Sequence, residues 1–148
     1  MYKTFSFKVK DELSRLQPGE LCCLQSELLG FLRAGAVLEA GQSGIQVIAT
    51  TESPSVARRV FLLLKHTSAL NVKISREPRR MQHHNLYSVR LPTQPGLKEF
   101  LIRLGFLRSG TGADKTVIPP ADCCRRSYLR GFFLGSGSLS NPERFYHL

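Results

Sequence analysis

Residues 22–38, CCLQSELLGFLRAGAVL, recur at residues 123–139 as CCRRSYLRGFFLGSGSL. The two stretches align without a gap, and seven of their seventeen positions are identical. Both copies carry small residues at a spacing of four, namely Gly30, Ala34, Gly131 and Gly135. Residues four apart share one helix face, and glycine inside a helix costs about 0.5–1 kcal/mol relative to alanine. We therefore predict two helices packed on each other about a pseudo-twofold axis; packing of each helix on its own sheet is the alternative.

The periodicity around the repeat predicts an α+β fold. The expected helices and strands are helices over about residues 6–16, 20–34, 54–66 and 95–104, and strands over 37–40, 45–50, 71–77 and 86–91. Ser53 and Asp122 are predicted N-caps, and Gly105 is predicted to end the fourth helix. The two hairpins can pair into one antiparallel four-stranded sheet with helices packed on one face.

The charge of the chain favours a polyanionic partner. Twenty-one Lys and Arg against eleven Asp and Glu give a net charge of +10. We expect double-stranded DNA, with an anionic membrane and a basic surface that serves only solubility as alternatives. No apolar run approaches the roughly 18 residues of a membrane-spanning helix, and residues 1–16 are too charged for a signal peptide. The expected location is the cytoplasm, without a membrane partner.

The four cysteines form two adjacent pairs, Cys22-Cys23 and Cys123-Cys124. Neighbouring residues on a helix point about 100° apart, so neither pair resembles a C-x2-C zinc knuckle. A cytosolic chain argues against disulfides, and a free cysteine packs as a small hydrophobe. We therefore expect buried, reduced packing residues and no metal or cofactor. A metal site that spans the two copies is the alternative.

The second hairpin carries the candidate DNA-binding residues. Strand alternation places Lys73, Ser75, Ser88 and Arg90 on the face away from the helices. The predicted DNA-binding residues, which include the connecting loop and its root, are Lys73, Arg76, Arg79, Arg80, His83, His84 and Arg90. A basic ribbon can enter the major groove, although most of its contacts should be to phosphate. A solvated hairpin tip is the alternative, and Arg58-Arg59 and Arg125-Arg126 are interpreted as helix-surface or helix-end charges.

The repeated segments, residues 28–36 and 129–137, resemble the two LAGLIDADG motifs of homing endonucleases. The whole chain resembles the N-terminal domain of the WhiA family of bacterial sporulation and cell-division transcription regulators. The matching features are Phe7 with the Asp11-Glu-Leu13 run, Cys22-Cys23, Ala57-Arg58-Arg59, Asn85-x-Tyr87, Cys123-Cys-Arg-Arg-x-Tyr-Leu-Arg-Gly131, and Asn141-Pro-Glu143 with Tyr146-His-Leu148.

This resemblance implies a LAGLIDADG-like fold whose second repeat is truncated. Residues 1–107 would form the first half-domain with its N-terminal helix, residues 108–121 a connector, and residues 122–148 the start of an incomplete second half-domain. A helix-turn-helix domain would follow downstream, so we expect a fragment of a longer, nucleoid-associated bacterial protein. Self-association through the exposed repeat helices is a further expectation.

The departure from the nuclease motif concerns catalysis. In the nucleases each motif helix ends in an acidic residue that holds a divalent metal, whereas this chain has Gly35 and Ser136 there. Neither residue supplies the carboxylate that Mg²⁺ prefers, and Glu27 lies two turns too early to substitute. We therefore predict a catalytically inactive DNA-binding domain rather than an enzyme. The alternatives are a metal-dependent endonuclease with other ligands and a protein-interaction module that contacts the transcription machinery.

Overall fold

The computed structural model describes residues 4–17, 19–79, 85–108, 119, 121–139 and 143. Its elements in chain order are α1 (Phe5–Ser14), α2 (Leu21–Gly35), β1 (Ala36–Gly41), β2 (Gly44–Thr51), α3 (Pro54–Thr67), β3 (Lys73–Glu77), β4 (Leu86–Leu91), α4 (Leu97–Leu104) and α5 (Asp122–Ser136). The four strands form one antiparallel sheet in the order β1-β2-β4-β3. The predicted α+β fold with a four-stranded antiparallel sheet and helices is confirmed.

The first hairpin joins the second through its inner strand, because β2 pairs with β4. Alternate residues of these two central strands are buried under the helices, with Val47, Ala49, Val89 and Leu91 each at most 4% exposed. They belong to one core cluster together with side chains from α2, α3, α4 and α5. Both hairpins therefore contribute to a single core, and none of the helices that the structure describes covers the opposite face of the sheet.

Local signals set the bounds of α3 and α4. The Ser53 hydroxyl accepts a hydrogen bond from the Val56 amide at 3.3 Å, which satisfies one of the free amides at the start of α3. Helix α4 begins at Leu97, two residues later than predicted, after Gly96 in the left-handed region. It ends at Gly105, whose φ of 99° strongly favours glycine, as the sequence predicts.

The repeated helices α2 and α5 run parallel and touch through their glycines. A Cβ atom added to Gly30 would lie 2.2 Å from the Tyr128 carbonyl oxygen, and one added to Gly131 would lie 1.8 Å from that of Glu27. Near the C-terminal ends, a Cβ on Gly135 would lie 2.8 Å from the Ala34 Cβ. The structure thus brings all four small residues of the repeat into one helix–helix contact, where any larger side chain would separate the backbones.

The start of α5 differs by one residue from the prediction. Asp122 is the first helical residue rather than the cap, since the N-cap is Ala121, without a side-chain hydrogen bond. Arg125 still closes the first turn by donating its amide to the Ala121 carbonyl at 2.9 Å. Most of the predicted connector (108–121) and of residues 140–148 lies outside the described residues, so the proposed domain boundaries stay predictions.

Candidate nucleic-acid interface

The helix-free face of the sheet carries two cross-strand rows of polar and charged residues. In the first row Lys73 stands directly opposite Arg90, and both side chains are exposed. In the second row Ser75 pairs with Ser88, which pairs in turn with Thr50 of β2. Like charges directly opposite each other across two strands repel. An anion that contacts both cations would remove this repulsion, so the chemistry of this row suits a phosphate group.

The structure separates Arg76 from this row. Arg76 pairs with Tyr87, which shares its face of β4 with buried Val89 and Leu91, so it lies on the helix-covered side of the sheet. Its exposure results from its place on the edge strand. The sequence-based set of DNA contacts is therefore divided between two faces, with Lys73 and Arg90 on the free one.

Arg79 follows β3 and lies beside the end of β2. Its guanidinium is 3.4 Å from the Glu52 carboxylate, with both side chains more than a third exposed. Such an exposed pair contributes about 0–1 kcal/mol, so a competing phosphate can displace the carboxylate at little cost. The other loop residues of the predicted site, Arg80, His83 and His84, lie outside the described residues.

A groove of about 350 Å³ lies next to Arg79, between α1, the end of β2 and the C-terminal end of α5. Lys10 projects into it, with its ammonium 5.6 Å from the centre of the Phe133 ring. Burial lowers the pKa of Lys10, and the negative charge of Glu52 partly opposes that shift. The sequence analysis did not select Lys10, because only tertiary packing shows that this helix side faces a groove.

The two positions that hold metal in the nucleases lie at the C-terminal ends of α2 and α5, next to this groove. Gly35 and Ser136 are the last residues of α2 and α5, and a Cβ on Gly35 would already lie 3.1 Å from the Gly135 carbonyl oxygen. Arg33, two residues before Gly35, donates to the Gly105 carbonyl at 3.2 Å and to the Tyr128 hydroxyl at 3.3 Å. Hydroxyl, backbone and guanidinium groups supply no anionic oxygen, whereas Mg²⁺ is usually held by one or two carboxylates together with water and phosphates.

Glu27 is held in a buried ion pair and cannot replace the absent acids. Its carboxylate accepts from the Arg59 Nε at 2.6 Å and Nη2 at 3.0 Å, and from Arg130 at 3.1 Å. Glu27 and Arg59 are 2% and 6% exposed. The interpretation of Arg59 as a helix-surface charge is therefore wrong: its guanidinium ties α3 to α2 and to the carbonyls of Ser14 and Leu16.

The four cysteines meet at the other end of the helix pair. Their Sγ atoms all lie within 4.8 Å of one another, and they are the one group of three or more potential metal ligands among the described residues. Cys22 and Cys123 are exposed, Cys23 is half-buried and Cys124 is buried. The expectation of four buried packing residues is therefore wrong for three of them, because they lie in the first turns of α2 and α5, where the helices meet solvent.

The thiols influence one another's titration. Burial tends to raise the pKa of Cys23, but hydrogen bonds from Cys123, Ser127 and the other cysteines lower it overall. The pKa of Cys123 is raised, chiefly by its hydrogen bond to Cys23. The pKa of Cys124 is raised by its hydrogen bond to Cys22 and by burial. Among these three thiols the pKa of Cys23 is thus lowered, whereas those of Cys123 and Cys124 are raised.

The sheet, with two glycine-packed parallel helices behind it, defines a LAGLIDADG-like domain. The family model described as the WhiA N-terminal LAGLIDADG-like domain matches residues 21–107, and that of the WhiA LAGLIDADG-like domain matches residues 125–148. The chain belongs to the WhiA family.

Curated relatives and solved structures agree with this assignment. The chain is 40% identical over 153 residues to "Probable cell division protein WhiA" of Desulforamulus reducens, covering 98% of this chain and 47% of the relative. It is 42% identical over 151 residues to the protein of the same name from Symbiobacterium thermophilum, covering 98% and 48%. The chain therefore spans about half the length of the curated relatives it matches.

Two crystal structures share the fold. Full-length DUF199/WhiA from Thermatoga maritima superposes with a TM-score of 0.67 at 26% identity, covering 97% of this chain and 43% of that one. The N-terminal LAGLIDADG domain of DUF199/WhiA superposes with a TM-score of 0.65 at 26% identity, covering 99% and 65%. Within the described part of the chain, no helix has the length and apolar character needed to cross a membrane.

Proposed function

We propose that this chain is the catalytically inactive, DNA-binding domain of a bacterial transcription regulator of cell division and sporulation. The observation that carries the proposal is the opposition of Lys73 and Arg90 on the helix-free face of the sheet, beside the exposed residues Ser75 and Thr50. Arginine, lysine and hydroxyl side chains are the usual donors to DNA phosphates. A net charge of +10 adds a long-range attraction for the duplex.

The absence of cleavage is the second part of the proposal. Gly35 and Ser136 replace the two acids that would hold a divalent metal, and Glu27 is neutralised by two arginines. A domain that keeps the sheet surface and lacks the metal ligands can bind DNA without cutting it. The relatives' name places them in cell division, and such a regulator would act in the cytoplasm, at the nucleoid.

Fluorescence anisotropy of a labelled duplex of about 30 base pairs, repeated over a series of salt concentrations, tests binding. About five phosphate contacts predict a slope near −4 to −5 in a plot of log K against log salt. The double variant Lys73→Ala/Arg90→Ala should weaken binding and reduce the magnitude of the slope by close to 2, which is about 0.9 for each lost phosphate contact. Arg103→Ala, which removes an exposed arginine from α4 on the helix side, is the matched control and should leave the slope unchanged.

Two outcomes would contradict the proposal. Flat anisotropy at the lowest salt would remove DNA as the partner of this domain and favour a protein-interaction module that contacts the transcription machinery. Nicking of supercoiled plasmid in Mg²⁺ or Mn²⁺, absent in EDTA, would instead establish a metal-dependent endonuclease with ligands outside the nuclease positions. We expect binding without nicking.

A further inference from the structure

The cysteine cluster lies at a junction between the two repeats. Cys22 and Cys23 occupy the second and third positions of α2, and Cys123 and Cys124 occupy the same positions of α5. Because the helices run parallel in contact, each pair faces the other rather than standing alone. The 100° between neighbouring residues excludes a zinc knuckle within one helix, but it does not exclude a site whose ligands come from two helices.

We propose that Cys22, Cys23, Cys123 and Cys124 form a tetrahedral binding site for one Zn²⁺ ion. A zinc–thiolate bond of about 2.3 Å in tetrahedral geometry places neighbouring sulfur atoms about 3.8 Å apart. The four Sγ atoms already lie within 4.8 Å of one another. The largest separation therefore exceeds the tetrahedral value by about 1 Å, a difference that side-chain rotation can supply.

The surroundings favour thiolates over thiols. All four cysteines lie in the first turns of α2 and α5, where a helix has amides without an intrahelical partner and carries the positive end of its dipole. A thiolate at such a position is stabilised, and the thiolate is the form that binds metal. On binding, each thiol loses its proton to solvent and its sulfur donates an electron pair to Zn²⁺, so the site carries a net charge of −2.

The side chains next to the cluster are suited to that negative charge. Arg126 lines a cavity of about 280 Å³ together with Cys23 and Cys123; Arg130 also lines it, but is paired with the Glu27 carboxylate at 3.1 Å. Ser127 and Ser26 lie beside Cys23 and Cys124, and their hydroxyls donate to the carbonyls of Cys123 and Cys22, at 2.9 Å in each case. The Arg126 guanidinium beside the thiolate ligands would balance part of their charge.

This site is separate from the position where the related nucleases bind metal. Gly35 lies twelve positions after Cys23, which is about 18 Å along a straight helix. The zinc would therefore sit at the opposite end of the helix pair, with four protein ligands and no open position for water or substrate. A closed site of this kind is structural, and it would fasten the first turn of α5 to that of α2.

Metal stoichiometry tests the proposal directly. The reduced chain is incubated with excess Zn²⁺, desalted, and analysed by mass spectrometry for metals. We expect one zinc per chain, and a Co²⁺-loaded sample should show thiolate-to-cobalt charge-transfer bands with the intense red d–d bands of tetrahedral coordination. The thermal midpoint should rise with zinc and fall on addition of a chelator.

Two variants distinguish the site from loose surface binding. Cys23→Ser and Cys123→Ser each remove a ligand with little change in volume, and each should lose stoichiometric zinc and the cobalt bands. Asp122→Asn removes the neighbouring exposed acid but no thiol, and should bind one zinc as the native chain does. Circular dichroism establishes that each variant is folded before its metal content is compared.

Several results would overturn the proposal. They are a metal content well below one per chain in the reduced, folded protein, cobalt spectra without thiolate bands, and full zinc retention by both cysteine variants. Recovery of cysteine pairs as disulfides under the same reducing conditions would also overturn it. DNA affinity is measured independently, so failure of the zinc site and failure of the DNA proposal are distinguishable.

Discussion

A Cβ atom on Gly131 would lie 1.8 Å from the carbonyl oxygen of Glu27, so the backbones of α2 and α5 are in direct contact there. This contact sets the axial position of one repeat helix on the other. It also determines what meets at the two ends of the pair: four cysteines at the first turns, and Gly35 with Gly135 at the last.

Gly131→Ala is expected to destabilise the domain by about 3 kcal/mol or more, the upper end of the range for overpacking, because the obstructing atom is backbone and cannot rotate away. Urea denaturation followed by circular dichroism measures the loss. Gly41→Ala is the matched control, since a Cβ there meets nothing within 4 Å, and its effect should stay below about 0.5 kcal/mol. Equal midpoints for the two variants would show that the helices do not approach this closely.

Arg59→Met is expected to cost about 3–5 kcal/mol, because it leaves the Glu27 carboxylate buried and short of its main partner. Adding Glu27→Gln to this variant should recover part of that loss, because it removes the unpaired buried charge. Arg130, which is 27% exposed, can then turn to water. The control is Arg15→Met, which breaks an exposed pair with Asp11 and should cost no more than about 1 kcal/mol. A double variant less stable than Arg59→Met alone would show that the carboxylate is not the source of the loss.

Lys73→Ala and Arg76→Ala should affect DNA binding differently, although both residues lie on β3. Lys73 is on the helix-free face and Arg76 on the other, so only Lys73→Ala should reduce the salt slope, by about 0.9 per lost phosphate contact. Anisotropy titrations of the two variants in parallel give the comparison. A larger effect for Arg76→Ala would place the DNA on the edge or the helix side of the hairpin.

Lys10→Met tests the groove beside α5 through its pH dependence. Burial lowers the pKa of Lys10 in the folded protein below its usual 10.5. At a pH between the lowered pKa and 10.5 the unfolded chain binds more protons than the folded chain, so the free energy of unfolding increases with pH. At neutral pH the variant should be more stable than the native chain, because it removes a charge that is costly to bury. The advantage should shrink as pH rises through the lowered pKa toward 10.5. Lys8→Met, with an exposed side chain on the same helix, controls for net charge; an advantage independent of pH would contradict the buried charge.

Much of the secondary structure follows from the sequence. Helix α3 begins at Pro54 behind its Ser53 cap, and α4 ends at Gly105, since caps and left-handed glycines act within one turn. The alternation of β4 correctly assigns Val89 to the core and Arg90 to solvent. Prediction from the sequence was wrong where elements distant in the chain surround a side chain. Arg59, for example, lies on α3 but is buried in an ion pair with Glu27 of α2.

The amino-acid sequence by itself determined the helices, the strands, the glycine faces and the family resemblance, because these depend on short-range periodicity and on residue identity. Only the tertiary structure decided that Cys22 and Cys23 meet Cys123 and Cys124, and that Arg76 turns away from Lys73. The physical reason is that such contacts depend on the relative position of whole elements. That position is set by close packing at Gly30 and Gly131; the glycine spacing predicts that the two helices touch, but not which turns of one lie beside which turns of the other.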